Sequence, residues 1–123
     1  MVIVPAFLLR RLYVKQSLRN SPQGFQFELN NTLGSGFGTE LFPLVLDGKE
    51  LPKDGSYFIR DGDEVPFAAV SKERPFTLPV NKKITILVRG VTLAEGPHKI
   101  NFSFVAQGLG KLGFDFTDMV AKT

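Results

Sequence analysis

The chain has no cysteine, no tryptophan and a single histidine. Without cysteine there is no disulfide framework, no thiolate nucleophile and no cysteine-ligated zinc. One histidine cannot complete a zinc site, and as a general base it needs an oriented partner and a nucleophile. Long apolar runs are missing too. The opening "MVIVPAFLLRRLYVK" is too short to span a bilayer. Its basic residues follow the apolar run, whereas a secretory signal places them ahead of it. A cytoplasmic protein with no membrane partner is expected. No window shows a helical stripe, and 12 glycines and 8 prolines interrupt the chain.

Charge of one sign is scarce as well. The 15 basic residues exceed the 12 acidic ones by only three, and Arg10–Arg11 and Lys82–Lys83 are the sole adjacent basic pairs. No aromatic-interleaved RNA-binding signature and no helix-turn-helix pattern accompanies them. The reading is a solvated surface, with no nucleic-acid partner.

Phenylalanine is abundant: 12 of 123 residues, beside 2 tyrosines. Rings without a polar atom build a core that asks for few buried hydrogen bonds. With 43% hydrophobic and 22% charged residues, residues 1–123 read as one globular domain. The dominant period is two. Phe25, Phe27 and Leu29 alternate with polar residues in "GFQFELN". Ile84, Ile86 and Val88 stand at alternate positions in "KITILVRG". The same spacing sets Ile100, Phe102 and Phe104 in "HKINFSFVA", and Leu112, Phe114 and Phe116 in "KLGFDFTD". These are half-buried strands. In "RRLYVKQSL", Leu12, Val14 and Leu18 fall to one side. "LFPLVLDG" is apolar on both faces, as a central strand is. "DMVAKT" reads as one frayed turn. Seven or eight short strands predict an all-β fold, an antiparallel β-sandwich or jelly-roll-like single domain, with a small open barrel as the alternative.

Two octapeptides share one pattern: "VLDGKELP" at 45–52 and "IRDGDEVP" at 59–66. Asp-Gly between apolar runs is a hairpin signal, and the proline then ends the pairing. Two successive hairpins of one design predict a meander. The competing reading is metal, with Asp61, Asp63 and Glu64 joined by Asp47 and Glu50. The calcium-loop spacing is absent, and adjacent strand residues such as Asp63 and Glu64 point to opposite faces. The turn reading is preferred, and no metal or cofactor is expected on this chain. "LGSGFGTE" at 33–40 has G-x-G-x-G rather than a dinucleotide-binding spacing, so it reads as a flexible loop between strands. Phe37 among its glycines is a candidate contact for a partner. His98 reads as a polar residue at a strand edge, since Ser71 and Ser103 lack a nucleophile-elbow context. No catalytic residue is assigned.

"SLRN" (17–20), "GFQFEL" (24–29), "DGKELP" (47–52) and "LAEGPHKI" (93–100) occur in an order that resembles the small β subunit of bacterial C-glycoside deglycosidases. The resemblance implies a non-catalytic sandwich subunit paired with a larger TIM-barrel α subunit. That α subunit, similar to xylose isomerases, would carry the divalent metal and cleave a carbon–carbon bond of 3-oxo-C-glycosides. The chain departs from the pattern after "GFQFEL", where "NNTLGSGFGTELFPL" replaces a Tyr-Tyr-Arg-Gly segment. The alternative is a free-standing, self-associating β-sandwich that binds carbohydrate or protein. In either case, 12 phenylalanines exceed what one core needs, and Phe37 and Phe42 are the expected centre of a partner interface. The turn reading predicts that calcium or zinc leaves the melting temperature unchanged. A rise of several degrees in a thermal scan would restore the metal reading.

Overall fold

The computed structural model describes residues 4–33 and 36–120; the side chains of Phe37 and Leu78 lie outside that description. In chain order the elements are a short helical turn α1 (Ala6–Leu9), β1 (Arg19–Ser21), β2 (Gly24–Asn30), β3 (Gly36–Leu41), β4 (Val45–Leu46), β5 (Lys49–Glu50), β6 (Ser56–Arg60), β7 (Asp63–Pro66), β8 (Phe76–Leu78), β9 (Lys83–Arg89), β10 (Gly96–Ala106) and β11 (Gly110–Val120). All pairings are antiparallel. The first sheet has the order β1-β2-β9-β6-β7. In the second, β10 pairs along one side with β11 and along the other with β3 and then β4; β8 and β5 lie outside those two. The fold is the expected all-β sandwich.

The four alternating segments become β2, β9, β10 and β11, and their apolar residues fill the space between the sheets. Phe25, Phe27, Ile86, Phe102, Phe104 and Phe114 are all buried. In the first sheet Ile86 stands in register between Phe27 and Phe58. The sheets meet through rings: Phe27 packs edge-on to Phe116 at 5.1 Å, and Phe58 edge-on to Phe76 at 4.7 Å. Along the second sheet the contacts continue from Phe116 to Phe114, Phe102 and Phe76. Such edge-to-face arrangements suit the ring quadrupole and add to the area each ring buries.

Both octapeptides are two-residue hairpins. Asp47 and Gly48 have φ of 50° and 86°, and Asp61 and Gly62 52° and 84°. Positive φ at both central positions defines the turn whose twist matches antiparallel strands. The expected meander does not form. The first hairpin (β4–β5) belongs to the second sheet and the other (β6–β7) to the first. The turn at Lys53–Gly55 between them carries the chain across, because Pro52 ends the pairing of β5 and frees it to leave. Pro66 is tolerated in β7 because that strand is a sheet edge.

Other expectations change. "RRLYVKQSL" is not a strand: Arg10–Leu12 form a 3-10 turn and only Tyr13 bridges to β2, at Leu29. The glycine-rich loop is strand from Gly36 onward. Gly38 packs closely there: a Cβ would sit 3.4 Å from the Phe76 ring and 3.5 Å from the Val105 carbonyl, in ordinary van der Waals contact. Gly34 and Ser35 lie outside the described residues. Asp118–Val120 extend β11 rather than forming a turn, and residues 121–123 lie outside the description. Short pairings such as β4–β5 raise the strand number to eleven among the described residues.

A Cβ at Gly48 would touch nothing within 4 Å, so Gly48→Val isolates the backbone cost of positive φ. It should lower stability by about 1 kcal/mol or more. Phe102→Ala should cost about 3–5 kcal/mol. Urea denaturation reads both, and wild-type stability in either variant would contradict the assignment.

Candidate functional site

Two polar clusters stand out against the ring-filled core. The first surrounds residues 90–95, which carry the chain from β9 in the first sheet to β10 in the second. Asn20, on the edge strand β1, donates its side-chain amide to the Leu93 carbonyl and accepts the Leu93 N–H, both at 2.8 Å. One side chain thus pairs this segment as a neighbouring strand would. On the far side, His98 places Nε2 2.7 Å from the Ala94 carbonyl and Nδ1 2.6 Å from Asp47 Oδ2. The other oxygen of Asp47 accepts the Lys99 N–H at 2.8 Å, and the Asp47 N–H donates to the Lys99 carbonyl at 2.8 Å.

Both partners of the His98 ring are acceptors, an arrangement that the imidazolium, with hydrogen on both nitrogens, satisfies on both sides. Its hydrogen bond to Asp47, and then that to the Ala94 carbonyl, raise its pKa above the ordinary 6.5. Asp47 moves down from 3.8, held first by the Lys99 N–H and then by His98. Both ring nitrogens of His98 are thus engaged by groups of the fold itself. Ser103 lies five residues along β10 on its other face, about 16 Å away at strand spacing. Ser71 closes a local turn with Arg74. Neither forms a nucleophile–base pair with His98.

The second cluster lies where the chain from Arg10 to Ser17 crosses the end of β11. The Tyr13 ring stacks on Phe116 at 3.7 Å and its hydroxyl donates to Asp118 Oδ2 at 2.7 Å. The Gln16 N–H reaches the same oxygen at 2.7 Å, and the Met119 N–H binds Oδ1 at 2.8 Å. Burial, then the Asp118 bond, push the Tyr13 phenol well above its usual range. Burial works to raise the Asp118 carboxyl as well, but Tyr13 and the two amides outweigh it and hold the group below 3.8. Arg10 Nε donates to the Asp115 carbonyl at 2.7 Å. Between these groups lies an open cleft of about 450 Å³, lined by residues that include Arg10, Tyr13, Lys15, Gln16 and Asp118. Sequence reasoning missed this cluster. The available signal was Asp118 itself, a carboxylate at the inward position of the Phe114–Phe116 alternation.

The acids of the octapeptides do not converge. Asp47 binds His98, Asp61 faces Lys82 at 3.4 Å, and Glu64 pairs with Arg89, whose guanidinium also lies over the Tyr57 ring. Among the described residues no three His, Asp or Glu stand close enough to share a metal ion. Phe42 sits half-buried where β3 gives way to β4, with its N–H on the Ser103 carbonyl and Lys111 Nζ 4.4 Å from its ring centre. The Phe37 side chain lies outside the description. Nine of the other phenylalanines are in the core, while Phe7 is 65% exposed.

The fold is a two-sheet antiparallel sandwich, and its two polar clusters fasten segments of the chain to one another. The sequence profile of the hydroxymethylglutaryl-CoA reductase N-terminal domain matches residues 8–121, and the chain belongs to that family. No curated protein matches it. The match corrects the resemblance to C-glycoside deglycosidase β subunits. The four motifs behind that resemblance are hardware of this fold: Asn20 and Leu18 in "SLRN", a core strand in "GFQFEL", a turn in "DGKELP" and the His98 clamp in "LAEGPHKI". The expected xylose-isomerase-like partner, its metal and the carbon–carbon cleavage lose the ground they stood on.

Tyr13→Phe strips Asp118 of a donor and the Leu18 N–H of its acceptor, and should cost about 1–3 kcal/mol. Because the folded Asp118 pKa is depressed, its contribution is present above 3.8 and lost as pH falls through the lower folded value. Asp118→Asn should therefore flatten the acid limb of a stability–pH curve. An unchanged limb would show that Asp118 is not ionised in the fold.

Proposed function

We propose that this chain is a non-catalytic sandwich module that docks on the catalytic body of a hydroxymethylglutaryl-CoA reductase, through the outer face of its second sheet. The observation that carries the reading is Phe42. Nine phenylalanines lie in the core, but this ring stays on the outer face, half-buried beneath the Lys111 ammonium. A cation over an exposed ring contributes about 0.5–1 kcal/mol, so a partner displaces it at small cost and gains an aromatic anchor. The family's own description, the N-terminal domain of that reductase, supplies the occupant. Commitment of both His98 nitrogens inside the fold supports a module without acid–base chemistry of its own. Phe37, on the neighbouring strand β3, is the second candidate contact.

Light scattering after size exclusion, with the catalytic domain of the reductase from the same organism, tests the reading. The wild type should form a complex, and Phe42→Asp should lose it while keeping its melting temperature. Two results would overturn the proposal: a wild type that binds no such domain, or reduction of hydroxymethylglutaryl-CoA by the isolated chain.

A further inference from the structure

We infer that His98 is a proton-operated latch that fastens the β4–β5 hairpin to the 90–95 crossover, and that loss of its proton lets the two separate. The geometry carries this. The crossover and the tight hairpin turn meet at one end of the second sheet, and the His98 ring bridges them. One nitrogen holds Ala94 on the crossover, and the other holds Asp47 in the turn. A neutral imidazole keeps one hydrogen, so it can donate to one of these acceptors and turns a lone pair toward the other. Deprotonation therefore opens one side of the bridge, whichever hydrogen leaves.

Little else in the surroundings can replace the charge. The hairpin presents Asp47 and Lys49. From β11 the register partner of His98 is Asp118, already held by Tyr13 and two amides. The crossover brings Glu95. On β10 itself, Lys99 points to the outer face, where its ammonium lies 3.9 Å from Asp115. The His98 side chain is only 13% exposed, while that of Asp47 is 47% exposed, so water competes from the carboxylate side of the bridge.

The sign follows from both partners. His98 holds its proton more tightly in the closed fold than the ordinary 6.5, so closure is favoured below that pH and weakens as pH rises through the higher folded value. Asp47 must be ionised, so the lower limit lies below 3.8. Between 6.5 and the folded value, the opening equilibrium rises by up to about tenfold per pH unit.

Nuclear magnetic resonance on the wild-type protein reads the latch directly. The His98 imidazole should titrate above 6.5, and hydrogen exchange at the Asp47 and Lys99 amides, corrected for intrinsic rate, should accelerate over the same interval while the Ile86 amide stays protected. In His98→Gln the hairpin should exchange faster at pH 6 and lose its pH dependence, whereas a merely structural role would shift protection and leave the pH profile in place. An imidazole titrating at or below 6.5, or hairpin protection flat across the interval in the wild type, would overturn the latch. So would a pH profile that survives in His98→Gln. The first two readings do not depend on the variant folding.

Discussion

Phe102 is the residue on which the packing of the sandwich depends. It is fully buried, and the rings of Phe67, Phe76, Phe104 and Phe114 surround it at centroid distances of 5.7–6.2 Å. The Phe67 ring meets it edge-on and the other three are tilted, and rings so packed fix one another's orientation. Phe76 then reaches Phe58 in the opposite sheet, and Phe114 continues to Phe116 and Phe27. The spacing between the sheets and their register follow from this row. Leucine in place of these rings would fill the volume but would not set the angles.

With the core assigned to hydrocarbon, the polar groups are pushed to the ends of the sheets. There they do mechanical work on segments that no ladder can reach. Asn20 substitutes for a strand beside Leu93, His98 and Asp47 hold the other side of the same crossover, and Tyr13 with Asp118 fixes the chain that crosses β11. Each is a partly buried group whose loss strands a partner, and that asymmetry makes such groups costly to change even where their net contribution is modest.

Local chemistry was legible in the sequence. Period-two alternation located β2, β9, β10 and β11 and their buried faces. Asp-Gly flanked by aliphatics located both hairpins, because positive φ is a property of two residues and needs no tertiary context. What remained hidden was non-local. Nothing in the two octapeptides tells that their hairpins enter opposite sheets. Gly36–Leu41 read as a loop because glycine usually signals one, yet Gly38 lies within a strand that pairs with β8 and β10. Tyr13 and Asp118 lie 105 positions apart, with no shared pattern to join them. The misread family has the same origin: motifs that recur because turns, caps and clamps need particular residues carry little information about what a domain partners.

The separation of Tyr13 from Asp118 also bears on synthesis. Arg10, Tyr13 and Gln16 all find their partners 102 to 105 positions later, and β11 completes the second sheet. As the ribosome delivers the chain, the Tyr13 phenol and the Phe27 ring must wait in solvent until Phe116 and Asp118 emerge. Loop closure over such distances is slow and is rewarded only at the end. The nascent chain therefore leaves these partners unmet until β11 has been made. A message truncated before residue 115 would leave them unmet permanently.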